Sequence, residues 1–249
     1  MNDAMTMSIG GVGSCGVLRS DARVLPISAI SSVPVKPFNR AKSRLAGALV
    51  PEQREMLAAS LLERTVQLLL PLPQVQGVLV ISRDTKALSM ARDLGAQTVQ
   101  ESGAPELNSA LYRATRALRV WRADAVLVVP ADLPLLAKED VQMVCHLGRY
   151  QGSVVIAPDR HEHGTNLLLV RPPGLIPYSF GVESFVTHQQ LARDAGASVL
   201  IYRSERVSLD LDTPDDLQSY FELAKALGEP IIEHVGSNGY LMLEKSYPD

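Results

Sequence analysis

Short apolar runs alternate along the chain with segments in which apolar residues recur at helical spacing. The apolar runs predict strands near Ser28–Val35, Val78–Ser82, Gln97–Glu101, Ala125–Pro130, Ser153–Ala157, Leu167–Val170 and Ser198–Tyr202, and another that ends at Asp212. The helical spacing predicts helices at about Glu52–Leu70, Thr85–Leu94, Ser109–Trp121, Lys138–Leu147, Glu183–Ala195 and Pro214–Leu227. Such alternation is typical of α/β proteins, in which helices flank a mainly parallel central sheet.

We predict one α/β domain over residues 23–227, because no linker rich in proline, glycine or serine divides this pattern. Residues 1–22 are expected to form a flexible N-terminal extension, and residues 228–249 a C-terminal extension. The segment Gly11–Gly16 matches the dinucleotide-binding pattern G-x-G-x-x-G. That pattern requires a strand before it and a helix after it, and its flanks predict neither, which argues against a dehydrogenase.

Composition narrows the class of protein. The 249 residues are 46% apolar, and the net charge is -3, from 24 basic and 27 acidic residues. An apolar content of this size can fill a core, and a weakly acidic chain is not expected to bind nucleic acid. Two cysteines do not make a disulfide framework, and we find no membrane span or signal peptide in the sequence, so we expect a cytoplasmic protein.

A pair of carboxylates precedes the last long predicted helix. Along a strand, alternation places Asp210 and Asp212 on one face. Thr213 is the predicted N-cap, Pro214 the first helical residue, and Asp216 occupies the capping-box position. Two adjacent carboxylates repel each other unless a cation neutralises them, and hard divalent ions prefer oxygen ligands. This pair is therefore a candidate metal site.

Asp132 is a candidate third ligand. It follows the apolar run Val126–Val129, which predicts a buried strand, and ligands in open α/β sheets bind beyond the carboxyl ends of strands. Taken alone, an aspartate in such a loop is more often a cap or turn residue. Together with Asp210 and Asp212 it completes a set of three carboxylates.

A cationic turn follows the first predicted strand. Lys36, Arg40, Lys42 and Arg44 lie within nine residues. Either the loop is simply solvated, or its ammonium and guanidinium groups, with backbone amides, hold a triphosphate.

Two further segments contain polar candidates for binding a small ligand. Thr165 and Asn166, at the start of a predicted strand, are suited to hydrogen-bond such a ligand. The nearby His161 and His163 could bind a transition metal, but without an obvious third ligand we interpret them as surface or substrate-facing side chains.

The segment Phe180–His188 offers two alternatives. Gly181 precedes a predicted helix, whose free amides could hold a carboxylate or phosphate. Ser184 and His188 share a helical face and could form a nucleophile pair, although one helix rarely aims the histidine correctly. We favour the anion cradle. Elsewhere, Asn108 stands at the start of a predicted helix, and from its position alone we interpret it as the N-cap of that helix.

These segments in this order resemble the phospholactate guanylyltransferase family (CofC/FbiD) of coenzyme F420 biosynthesis. The matching segments are VPVKPFNRAKSRL, ELNSAL, VVPADLPLL, PDRHEHGTNLLLVRPPG, FGVESFVTHQQLA and LDLDTPDDL, which span about residues 33–217. The combination of GTN, FGxxS and DxDTPxD is more specific than any one of them.

The resemblance implies a Rossmann-like, GT-A-like nucleotidyltransferase fold. It implies a guanylyltransferase that transfers GMP from GTP to the phosphate of a small acid and releases pyrophosphate. In relatives the acid is 2-phospho-L-lactate, phosphoenolpyruvate or 3-phospho-D-glycerate. The implied partner is the downstream pathway transferase, which would receive a labile product. A homodimer is a further candidate, since the sequence does not settle the oligomeric state.

The resemblance also implies roles for individual residues. Asp132, Asp210 and Asp212 would bind Mg²⁺ and, with Lys36, form the catalytic centre. The positions that would face the triphosphate of GTP are Lys36, Lys42 and Arg44, and Asn108 would lie near the guanosine. Thr165, Gly181 and Ser184 match positions that hold the phosphorylated acid, beside Asn166.

Two departures fall near the expected acid pocket. His161-Glu162-His163 stands where relatives tend to have smaller residues, and Glu183 where many have glycine. The alternatives that remain are another small nucleotidyltransferase, of the molybdopterin guanylyltransferase or cytidylyltransferase type, and a catalytically silent nucleotide-binding subunit.

Overall fold

A seven-stranded sheet forms the centre of the protein, with strand order β3-β2-β1-β4-β6-β5-β7. The computed structural model describes residues 28–101, 106–120 and 123–232. Its strands are β1 Ala29–Val35, β2 Val75–Ser82, β3 Gln97–Gln100, β4 Ala125–Val128, β5 Ser153–Pro158, β6 Thr165–Arg171 and β7 Ser198–Ile201. All run parallel except β6, which is antiparallel to both β4 and β5. The predicted mainly parallel α/β sheet is confirmed.

Helices connect and cover these strands. They are α1 Pro51–Leu69, α2 Thr85–Asp93, α3 Leu107–Val120, α4 Lys138–Leu147, α5 Ser184–Asp194, α6 Glu205–Ser208 and α7 Pro214–Leu227. Two 3₁₀ turns, Phe38–Arg40 and Ser43–Gly47, lie in the cationic segment after β1. The turns and α6 were not predicted, because such short elements carry no helical periodicity.

Side-chain alternation in the strands builds a core on each face of the sheet. In β2, Val78 and Val80 face α1, α2 and α4, whereas Leu79 and Ile81 face α3 and α5. The central strand β4 is completely buried on both faces. Such burial explains its uninterrupted apolar sequence and holds the end of the strand rigidly in place.

A third apolar cluster supports the segment that carries Asp210 and Asp212. Leu209 and Leu211 are buried in it with leucines of α1 and the aromatic residues of α7. The prediction of a strand ending at Asp212 is wrong, since residues 209–212 are not part of the sheet. The segment makes a single backbone bond toward the end of β4, from the Leu211 amide to the Asp132 carbonyl at 3.0 Å. Its alternation is nevertheless real, because the buried leucines turn both aspartates toward the opposite side.

The start of α7 has the predicted cap. The Asp216 amide donates to Thr213 Oγ1, the Asp216 carboxylate accepts from the Thr213 amide at 2.7 Å, and Pro214 is the first helical residue. Asp84 likewise caps α2 by accepting from the Lys86 amide. Both caps satisfy amides that the first helical turn leaves without a partner.

The predicted N-terminal extension, the Gly11–Gly16 motif and most of the C-terminal extension lie outside the described residues. Within the described ranges, no helix is both long and apolar enough to cross a membrane. The Gly228 backbone is left-handed and ends α7 at Leu227, where the sequence predicts the end of this helix. The domain boundary placed at residue 227 stays a prediction.

Candidate active site

A crevice of about 640 Å³ crosses the sheet at the carboxyl ends of its parallel strands. It is lined by the following predicted site residues: Lys36, Lys42, Arg44, Asp132, Thr165, Asn166, Gly181, Ser184, Asp210 and Asp212. Positions scattered over the chain thus meet in one cavity. Asn108 is not part of its lining.

The reversed direction of β6 brings Thr165 to the same edge of the sheet as Asp132. Leu168 of β6 pairs with Val128 of β4, and Thr165 pairs with Pro158 of β5. Because β6 is antiparallel, its first residues lie beside the last residues of β4. Thr165 therefore shares an edge of the sheet with Asp132, although one begins a strand and the other follows one.

Lys42 and Asp132 form the central ion pair of the crevice. Lys42 Nζ lies 3.0 Å from Asp132 Oδ2, and the lysine side chain is only 7% exposed. Burial would raise the pKa of Asp132, but the Lys42 ammonium, assisted by Lys36, lowers that pKa below its usual value. Asp132 is therefore an anion at neutral pH.

Asp210 and Asp212 lie beside this pair. Burial raises the pKa of Asp210, and the negative charges of Asp132 and Asp212 raise it further. Arg44 Nη1 lies 3.0 Å from Asp212 Oδ2 and offsets part of the negative charge. The three carboxylates are thus close enough to repel one another.

No three His, Cys, Asp or Glu side chains of the described ranges lie together in an arrangement that would hold a metal ion. Asp132 and Asp212 are instead bound by Lys42 and Arg44. The donor set still suits a hard divalent cation, because it consists of carboxylate oxygens, and burial together with the charges of Asp132 and Asp212 raises the pKa of Asp210.

His188 does not activate Ser184. Its Nδ1 lies 3.0 Å from Thr165 Oγ1, and its Nε2 accepts from the Ser179 amide at 3.0 Å. Both ring nitrogens are therefore occupied, and a nucleophile pair has no base. Ser184 is buried and lines the crevice. The amides of Ser184 and Phe185 donate to the carbonyls of Gly181 and His163, so an anion cradle made of free amides stays a prediction.

Asn108 links the start of α3 to the loop before α5. Its amide nitrogen donates to the Phe180 carbonyl at 3.1 Å, and its oxygen accepts from the Phe180 amide at 2.8 Å. These bonds position the Phe180–Gly181 edge of the crevice. A direct contact between Asn108 and guanosine stays a prediction.

The loop that carries His161 and His163 is fixed by Asp159. The Asp159 carboxylate accepts from the amides of His161, His163 and Gly164. Both histidines are exposed, with ring centroids 6.4 Å apart. The loop is thereby folded tightly just before Thr165, and its histidines lie at the surface.

Four charged residues that line the crevice were not predicted as site residues: Arg83, Glu101, Glu106 and Asp159. Two of them form an ion pair at the β3 side of the sheet. Arg83 follows β2 and Glu101 follows β3, and Arg83 Nε lies 3.5 Å from Glu101 Oε2. The position of each directly after a strand could have identified them, since that is where this class of sheet binds ligands. They extend the crevice toward the β3 edge, away from Thr165.

Residues 29–223 match the family described as "Guanylyl transferase CofC like". A phosphoenolpyruvate guanylyltransferase of Rubrobacter xylanophilus is 40% identical over 196 residues, which cover 77% of this chain and 92% of the relative. A 2-phospho-L-lactate guanylyltransferase of Methanothermobacter thermautotrophicus is 39% identical over 187 residues, which cover 74% and 80% of the two chains.

Solved structures agree on the fold. The crystal structure of a putative nucleotide-diphospho-sugar transferase from Desulfovibrio desulfuricans superposes with a TM-score of 0.65 at 18% identity. The superposition covers 88% of this chain and 96% of the other. The predicted nucleotidyltransferase fold is confirmed.

Proposed function

Because the chain belongs to the family of CofC-like guanylyl transferases, we propose that it transfers GMP from GTP to a small phosphorylated carboxylic acid. The acid is 2-phospho-L-lactate, phosphoenolpyruvate or 3-phospho-D-glycerate, and the reaction is a cytoplasmic step of coenzyme F420 biosynthesis. The observation that carries the proposal is that one crevice is lined by three kinds of group. These are the cations after β1, the three carboxylates, and the polar residues Thr165 and Ser184 at the end assigned to the acid.

The reaction joins two anions. A phosphate oxygen of the acid attacks the α-phosphorus of GTP, a new P–O bond forms, and the bond to the β-phosphate breaks as pyrophosphate leaves with its electron pair. A phosphate monoester has a second pKa near 6 and is largely dianionic at neutral pH. No general base is needed, which agrees with a His188 ring whose nitrogens are both hydrogen-bonded.

The chain's own residues position the reactants and balance their charge. Lys36, Lys42 and Arg44 bind the triphosphate and stabilise the charge that develops on the leaving pyrophosphate. For Lys42 and Arg44 this requires giving up contacts to Asp132 and Asp212, which frees both carboxylates.

Asp132, Asp210 and Asp212 would hold Mg²⁺. The bound ion would supply charge neutralisation at the α-phosphate and at the attacking oxygen. Asp132 remains an anion at neutral pH, as a ligand must.

The test is pyrophosphate release from GTP and Mg²⁺ with each acid in turn, with the downstream pathway transferase present to remove a labile product. Release with at least one acid is expected, and release with none would refute the proposal. Asp210→Ala should abolish release while the unfolding midpoint stays close to that of the wild type. Asp215→Asn, an exposed carboxylate five residues further on, is the matched control and should keep full activity.

A further inference from the structure

We propose that His188 is a positioning residue that fixes the Thr165 hydroxyl as a hydrogen-bond donor to the phosphorylated acid. The inference rests on the proposed function, because it concerns the acid that Thr165 would contact. His188 itself does not line the crevice and acts through Thr165.

The hydrogen bond from the backbone determines which ring nitrogen of His188 carries the proton. The Ser179 amide donates to Nε2 at 3.0 Å. A backbone N–H can only donate, so Nε2 must be the unprotonated nitrogen of the ring. In a neutral imidazole the proton then resides on Nδ1.

The surroundings keep this ring neutral and stationary. His188 is completely buried, and burial lowers its pKa to about 4. The Phe180 ring packs against it in a T-shaped contact with centroids 4.9 Å apart, and Asn108 holds the Phe180 backbone from α3. The imidazole therefore has one tautomer and one orientation.

The direction of the next hydrogen bond follows from this tautomer. Nδ1–H donates to Thr165 Oγ1 at 3.0 Å, so the hydroxyl oxygen is the acceptor. Thr165 keeps its own proton, and within the described residues no other side-chain hydrogen bond of this hydroxyl is found. Since Thr165 lines the crevice, that proton is available to a ligand there.

A hydroxyl oriented in this way suits an anion. Carboxylate and phosphate oxygens only accept at neutral pH, and bonds from a donor to a charged acceptor are the stronger kind. A freely rotating hydroxyl would lose part of this advantage, because it would have to be ordered when the acid binds. His188 removes that cost in advance.

Two substitutions of His188 separate its two hydrogen bonds. In His188→Gln the longer side chain places its amide near Nε2, keeps an acceptor for the Ser179 amide and loses the donor to Thr165. In His188→Asn the shorter side chain keeps a donor near Nδ1 and loses the contact to Ser179. We expect His188→Gln to raise the KM for the acid roughly tenfold, with the KM for GTP within about twofold of wild type. His188→Asn should raise the KM for the acid less.

The Thr165→Val background distinguishes positioning from a general structural role. There the hydroxyl is absent, so adding His188→Gln should change the KM for the acid by less than about twofold. An equal increase in both backgrounds, or an equal increase in the KM for GTP, would overturn the proposal. His146→Gln, on the exposed face of α4, is the control and should leave both KM values unchanged.

Nitrogen NMR of the wild-type protein tests the tautomer without any variant. The ring of His188 should show a protonated Nδ1 and an unprotonated Nε2 at pH 7, and the opposite tautomer would refute the inference. If the wild type releases no pyrophosphate with any acid, the proposed function fails together with the role of Thr165 toward the acid. The NMR result then still decides whether His188 donates to Thr165.

Discussion

Among the residues that the structure describes, three other than glycine adopt left-handed backbone conformations, and they lie around the crevice or the loop beside it. Lys42, Glu162 and Glu183 have φ values of 55°, 57° and 56°. This region costs a residue with a Cβ roughly 1–2 kcal/mol. At Lys42 the conformation places the ammonium against Asp132. Glu162 is held by an ion pair with Arg203, but the exposed Glu183 side chain has no contact of comparable kind among the described residues.

Glu183→Gly should therefore stabilise the protein. Glycine adopts a φ of 56° without strain, and this gain exceeds the extra entropy that glycine adds to the unfolded chain. We expect the free energy of unfolding to rise by about 0.5–1 kcal/mol. Urea unfolding, compared at an unchanged m value, measures the difference.

A glycine in a regular helix should have the opposite effect. Glu63 is exposed in the middle of α1, so Glu63→Gly should lower the free energy of unfolding by about 1 kcal/mol. If both glycine substitutions destabilise the protein, Glu183 is not strained.

At the scale of elements, the start of α7 holds the carboxylate segment in place. Asp216 Oδ2 accepts from the amides of Asp212 and Thr213 and from Thr213 Oγ1. Its other oxygen is bound by Arg160, in the loop that leads to Thr165. One helix cap thus connects the segment of Asp210 and Asp212 with the loop at the acid end of the crevice.

Thr213→Ala should lower both stability and turnover. Loss of an N-cap hydroxyl costs about 1 kcal/mol, and Asp216 loses one of the donors that orient it. We expect kcat to fall several-fold because Asp212 is less firmly held. Thr213→Ser keeps the hydroxyl and should restore both quantities in steady-state kinetics and urea unfolding. Full activity of the alanine variant would show that the cap does not position Asp212.

The local sequence predicted those elements whose ends are marked by caps and whose residues show helical spacing. The bounds of α4 and α7 were predicted as observed, because caps and helical spacing mark their ends. The direction of β6 could have been predicted, because only residues 159–164 connect it to β5, whereas parallel strands need a crossover of a dozen or more residues. Its pairing with β4 was not predictable, since that partner is distant in the chain. The strand predicted before Asp212 was wrong because alternation shows only that one face of a segment is buried. Here the buried face packs against helices and not within a sheet.

The site was predictable to a similar extent. Lys42, Asp132 and the Asp210–Asp212 pair could be chosen by residue type and by their position after an apolar run. The contact of His188 with Thr165 could not be chosen, because these residues lie 23 positions apart and meet only through packing of α5 on the sheet. Sequence spacing instead paired His188 with Ser184, its neighbour on the same helix.

At the scale of the whole molecule, the order of the strands places the residues of the site in a row along one edge of the sheet. Glu101 follows β3, Lys36 follows β1, Asp132 follows β4, and Thr165 begins β6. Four strand spacings separate the β3 and β6 ends, roughly 20 Å at the usual separation of neighbouring strands. A nucleoside triphosphate aligned along this line would place its base near Arg83 and Glu101 and its phosphates at the centre.

This geometry predicts that substitutions at the two ends affect different substrates. Ser184→Ala should raise the KM for the acid about fivefold to tenfold and leave the KM for GTP within about twofold, because a donor to the anion is lost. Glu101→Gln should do the reverse, since it removes a charge at the end assigned to the base. Steady-state kinetics with each substrate varied in turn measures both constants.

The double variant provides the stricter criterion. Sites that share no partner lose binding energy additively, so the two KM values should each match the corresponding single variant. Glu222→Gln, exposed on α7, is a control for charge loss and should change neither value. If Glu101→Gln raised the KM for the acid as much as that for GTP, base and acid would not lie at opposite ends. The order of strands in the sheet would then not determine the order of the substrates in the crevice.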